Sequence, residues 1–175
     1  MTYIMDRLVD VEARYERAVK NGDKKELSYF WQFGTEYRRI TENAATYEQY
    51  LSLGYTDAPR INDVGWLTNG SHKELKDRFE VIQVFVHGHH ECRIMLLRFP
   101  NGRWSNGQRL EVAGAYSYSS PSIWGNTYAT RQDALNAAID LCVECIENSI
   151  THSDKKYLVP VQQLRMSIMQ QDLFG

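Results

Sequence analysis

From Arg78 to Val112 the sequence alternates in a way that leaves little choice of fold. "RFEVIQVFVHG" and "CRIMLLRF" are rich in β-branched and aromatic residues and are separated by "HHE"; "PNG" at 100–102 then turns the second run into "RWSNGQRLEV". Runs of this length and composition, joined by Gly- and Asn-bearing turns, read as an antiparallel meander. "AYSYSSPSIWGNTY" follows, with Tyr116 and Tyr118 in alternation before Pro121 and Gly125, and reads as a last strand entering a loop. A meander needs its apolar face covered. Residues 131 to about 148 supply the cover: Ala134, Leu135, Ala138, Ile139, Leu141, Cys142, Cys145 and Ile146 form one broad apolar helical face, opened by Thr130 and Asp133 at capping-box spacing.

The N-terminal part is helical by period. Ile4, Met5, Leu8, Val11, Tyr15, Ala18 and Val19 recur at spacings of three and four until "NGD" at 21–23 interrupts them. "KKELSYFWQFGTEYRRI" continues the period as a second helix with Gly34 inside it, and Thr46 with Gln49 opens a short third helix, "YEQYLSL", closed by Gly54. The stretch 54–72 has loop composition. After residue 148, "SITHSDKK" reads as a linker, "YLVPV" as an extended piece, and "QQLRMSIMQQDLFG" as a tail of weak helical character. The expected architecture is α+β: N-terminal helices, a three- or four-stranded antiparallel sheet, a covering helix and a C-terminal extension. Residues 1–150 are expected to form one domain, with 151–175 as linker and tail.

Charge and composition narrow the function classes. Twenty Lys and Arg against 22 Asp and Glu give a net charge of −2, so the overall field does not favour a nucleic acid backbone. Arg93, Arg98, Arg103 and Arg109 lie among aromatics in the sheet, but Glu80 and Glu111 interleave, and direct nucleic acid contact is not expected to dominate. No run approaches the roughly 18 apolar residues that a membrane span requires, and charges fill the N-terminus where a signal peptide needs an apolar stretch. The chain reads as cytoplasmic. Three cysteines, Cys92, Cys142 and Cys145, fit reduced thiols better than a disulfide framework.

Catalytic signatures are absent: the sequence holds no P-loop, dinucleotide-binding glycine pattern, nucleophile elbow or His-Glu-x-x-His, and nothing in it calls for a cofactor. "HGHHEC" is the densest cluster of metal-capable side chains, with His87, His89 and Cys92 as weak ligand candidates and Glu80 or Glu91 near His87 as an acid/base pair. Its spacing matches no zinc ribbon or knuckle, and structural roles are the expectation. Tyr116, Tyr118 and Trp124 are a candidate aromatic docking surface, of the kind a compact inhibitor of a host or defence protein, anti-CRISPR or anti-restriction in type, would use.

The tail carries the sharpest functional signal. Gln170, Gln171, Asp172, Leu173 and Phe174 resemble the short linear motif with which bacterial and phage proteins dock on the DNA polymerase sliding clamp, usually Gln-Leu-(Ser or Asp)-Leu-Phe; Gln171 in place of the common leucine is the one departure. The resemblance implies that Gln170 makes hydrogen bonds at one subsite, that Asp172 fills the third position and that Leu173 and Phe174 enter an apolar pocket. It covers five residues, so it points to a partner and leaves residues 1–150 without a family. Burying that Leu-Phe pair contributes roughly 3 to 6 kcal/mol before ordering costs, which suits a tether of about micromolar strength. The expectation is a non-enzymatic accessory protein of a bacterium, phage or plasmid, held at replicating DNA through this motif.

Overall fold

The structure is a computed structural model that describes residues 2–56, 61–62, 64–67 and 78–174; the side chains of residues 2–5, 169 and 171–174 lie outside that description. Most of the loop at 54–72 therefore falls outside it as well. The chain divides into two compact units. One, helical, comprises Met1–Leu75 with Phe99–Asn101 and Ile123–Asn126; the other, built on the sheet, comprises Lys76–Arg98, Gly102–Ser122 and Thr127–Gly175. The fold is α+β, as expected.

In the sheet unit, β1 (Glu80–His87), β2 (His90–Arg98), β3 (Trp104–Val112) and β4 (Ala115–Ser119) are antiparallel in the order β1-β2-β3-β4, and the two-residue β5 (Thr127–Tyr128) pairs with β3. Gly88 stands in the turn between β1 and β2 with φ 62°, a left-handed conformation that only glycine adopts without penalty. Because side chains alternate along a strand, Cys92, Ile94 and Leu96 of β2 share a face with Leu110 and Val112 of β3, and all five are buried. α4 (Arg131–Glu147) lies across that face through Ala134, Leu135, Ala138, Ile139, Cys142 and Ile146. Each fully buried Leu or Ile there contributes about 1.5–3 kcal/mol. Thr130 caps α4: its hydroxyl oxygen accepts from the Asp133 amide at 3.0 Å and its O–H donates to the Asp133 carboxylate at 2.7 Å.

β1 meets this core through a register shift between Gln83 and Phe85. Strict alternation would send Ile82 and Phe85 to opposite faces; the bulge brings both to the core. The Gln83 side-chain amide braces it, donating to the carbonyls of Phe85 (2.9 Å) and Cys92 (2.8 Å).

The helical unit departs from the sequence expectation at two points. α1 (Thr2–Asn21) runs as read, but the segment after it is two helices, α2 (Lys24–Trp31) and α3 (Tyr37–Ser52). Gly34 breaks it: its φ of 146° is incompatible with a continuing helix, and Phe33 caps back to Phe30. α3 also absorbs the expected short third helix. Thr46 is an interior residue whose hydroxyl donates to the Glu42 carbonyl one turn earlier, so it does not open a helix, while Gly54 (φ 85°) does follow the end. Val11, Phe30, Phe33, Ile40, Ala44 and Ala45 form the core of this unit.

The segment after α4 departs more strongly. "SITHSDKK" is no open linker: His152–Tyr157 is a 3-10 turn in which Asp154 and Tyr157 are buried. "YLVPV" is not extended, because Leu158 begins α5 (Leu158–Phe174). Pro160 lies in its first turn, where a helix has no intrahelical use for the missing N–H. Among the described residues no helix is long and apolar enough to cross a membrane.

Candidate functional site

α5 is the element that carries the motif, and its sequence fixes how it lies. Tyr157, Val161, Leu164 and Ile168 fall at spacings of four, three and four, one stripe of a helix. That stripe packs into the same apolar cluster as β2, β3 and α4, with Val161 fully buried and Ile168 nearly so. The Tyr157 ring stacks on Phe85 at 4.8 Å with 15° between planes, and the Arg165 guanidinium pairs with Asp140 of α4.

The start of α5 is held by a polar latch that the sequence pattern does not announce. The Asp154 carboxylate, 1% exposed, accepts from the Ser149 hydroxyl at 2.7 Å and from the Gly114 amide, in the turn between β3 and β4, at 2.8 Å. Burial pushes its pKa up, but these hydrogen bonds, with the charge of nearby His90 and the Ala113 amide, outweigh burial and hold it below the ordinary carboxylate range. Gly114 must be glycine for the latch to close. A Cβ there would come within 2.3 Å of the Thr151 hydroxyl and 2.6 Å of the Ser149 hydroxyl.

The end of α5 differs. Ile168 is the last buried residue of the helix among those described, and Gln170, first residue of the motif, is exposed. The backbone of Gln171, Asp172, Leu173 and Phe174 is helical, while their side chains lie outside the described residues. The motif thus begins on the open face of the last turns of a helix, beyond its last described anchor.

The other candidate residues are dispersed. Tyr116 and Tyr118, on β4, are 65% and 50% exposed and share the sheet face opposite α4. They stand beside Glu111 and Arg109 of β3, and those beside Glu91 and Arg93 of β2. Arg109 is 2.5 Å from Glu91 and 3.0 Å from Glu111, so the arginines of this face are set among carboxylates and no basic stripe forms. Trp124 belongs to the other unit, half-buried against its core and lining a groove of about 250 Å³ with Leu8, Glu42, Ala45 and Thr46.

His87 and His90 pair across the hairpin with Gly88 and His89 in its turn, whereas Cys92 faces the core with its Sγ 3.7 Å from that of Cys142. The hydrogen bond to Cys142, together with burial, pushes the Cys92 thiol far up, and burial raises Cys145 too; protonated thiols are poor ligands and poor nucleophiles. No group of three or more His, Cys, Asp or Glu side chains among the described residues is placed to hold a metal ion.

One further network escaped the sequence reading. Arg14 of α1 donates to Glu26 and to Glu48, each at 2.7 Å, and the Tyr29 hydroxyl donates to Glu48 at 2.9 Å. Burial and the Glu48 bond push the Tyr29 pKa well above its ordinary value. The network ties α1, α2 and α3 together. Comparison with protein-family models, curated proteins and solved structures finds no match to this chain.

Proposed function

We propose that the protein is a non-enzymatic accessory protein of a bacterium, phage or plasmid that docks on the DNA polymerase sliding clamp through Gln170, Asp172, Leu173 and Phe174. The observation that supports this reading is the position of the motif on α5. It follows Ile168, the last described anchor of the helix, and opens on an exposed Gln170. A helix end that no packing contact holds frays readily, because the final carbonyls have no intrahelical donors and each turn released gives up only a few bonds. A clamp groove would thus take the segment without unfolding the body.

Titration of a fluorescent peptide of residues 166–175 with bacterial sliding clamp tests the reading, beside the same peptide carrying Leu173→Ala and Phe174→Ala. Saturable binding at about micromolar strength, lost in the double variant, is the expected result. Equal behaviour of the two peptides removes the proposal.

A further inference from the structure

The three cysteines of the chain meet in the core of the sheet unit. Cys92 of β2 and Cys142 of α4 are both fully buried, and the Cys92 thiol donates to the Cys142 sulfur at 3.7 Å. Cys145, one turn further along α4, is half-buried and packs against the same apolar cluster. Spacing alone would pair Cys142 with Cys145, as a Cys-x-x-Cys motif. The helix argues against it: side chains three apart on a helix have Cβ atoms about 5–6 Å apart, whereas a disulfide holds its Cβ atoms at about 3.5–4.5 Å. A bridge inside α4 would therefore distort the helix. Between β2 and α4, by contrast, the two sulfurs already touch.

The surroundings set the state in which this pair rests. The hydrogen bond to Cys142 and burial keep the Cys92 thiol protonated. The thiolate is the reactive form, so the pair is reduced at rest and reacts slowly. Oxidant reaches it when the packing of α4 on β2 opens locally.

We propose that Cys92 and Cys142 are a redox-sensitive staple, closed to a disulfide by a peroxide, with Cys145 left as a free thiol. One sulfur of the pair takes an oxygen from hydrogen peroxide, giving a sulfenic acid and water. The other sulfur then displaces hydroxide from it, the hydroxide leaves with the remaining thiol proton as a second water, and the S–S bond forms. Two thiols are oxidised and one peroxide is reduced. The bridge joins residues 50 apart in sequence, across the apolar cluster that Val161 and Ile168 of α5 also enter. Closing a loop of that length restricts the unfolded chain and so stabilises the folded one. This inference is independent of the clamp reading.

The test is mild hydrogen peroxide treatment of the folded full chain, followed by alkylation of free thiols in denaturant and peptide mapping by mass spectrometry without reduction. Cleavage after Glu144 separates Cys142 from Cys145. The expected product links the Cys92 and Cys142 peptides and carries the alkyl group on Cys145, and its urea midpoint lies about 1 M or more above that of the reduced chain. Cys145→Ser is expected to form the same bridge with the same shift, and Cys92→Ala to gain neither. Free thiols at both 92 and 142 after treatment overturn the inference, as does a Cys142–Cys145 bridge or a bridge between two chains. A Cys92–Cys142 bridge that leaves the midpoint unchanged overturns the staple too.

Discussion

The two ends of α5 are made from the same helix and do opposite work. At its start, Asp154, Ser149 and Gly114 lock the turn before the helix to the β3–β4 turn, and Tyr157 and Val161 sink into the sheet's core. After Ile168, the one residue whose side chain is described, Gln170, is exposed. The number of buried partners in a turn sets how readily it opens locally while the rest stays folded. Under the docking proposal, a firmly held start would serve a segment that is released at its end.

The largest expected effect is at the anchored stretch. Ile168→Ala removes a nearly buried side chain from a cluster shared with the sheet and α4, and should destabilise the chain by about 2–4 kcal/mol in urea titration. If it does nothing, the contrast between the two ends is lost.

Asp154→Ala should come next, at about 2 kcal/mol, since the Ser149 hydroxyl and Gly114 amide are left without their acceptor. The same group predicts a pH dependence. Its folded-state pKa is depressed, so its stabilisation is complete above the unfolded carboxylate value of about 3.9 and decays as pH falls through the lower folded value. Denaturation midpoints taken between about pH 2 and 6 should therefore drop more steeply in the unsubstituted chain than in Asp154→Asn. Equal slopes would show that the latch carries no such charge.

The smallest stability effect is expected at the other end. Leu173→Ala with Phe174→Ala should change unfolding free energy by no more than about 0.5 kcal/mol. A loss as large as that of Ile168→Ala would place the pair in the core and contradict the docking proposal.

The sheet was legible because two independent signals agreed: alternation in "RFEVIQVFVHG" and "CRIMLLRF", and turn chemistry at the joints. The covering helix was legible through the Thr130–Asp133 cap. The reading of 24–40 as one helix went astray because helical period continues across Gly34, and the backbone angle of a glycine is not written in its neighbours. Asp154 was hidden for a different reason. Its partners, Ser149 and Gly114, are polar or small residues of loop character, and a buried carboxylate satisfied by a distant turn leaves no periodic trace. "YLVPV" looked extended because β-branched residues flank a proline, a local preference that tertiary packing of Val161 overrides. The motif at 170–174 was visible as letters alone; its place beyond Ile168 came from the structure.

The most direct measurement is competition by the full chain. Labelled peptide 166–175 is bound to sliding clamp, unlabelled full-length protein is added, and fluorescence anisotropy is followed. If the end of α5 is the docking segment, the full chain displaces the peptide at concentrations within about ten-fold of the unlabelled peptide's own, and the chain carrying Leu173→Ala and Phe174→Ala displaces none. A full chain that never displaces the peptide, or a double variant that competes as well as the unsubstituted chain, would contradict the docking role of α5.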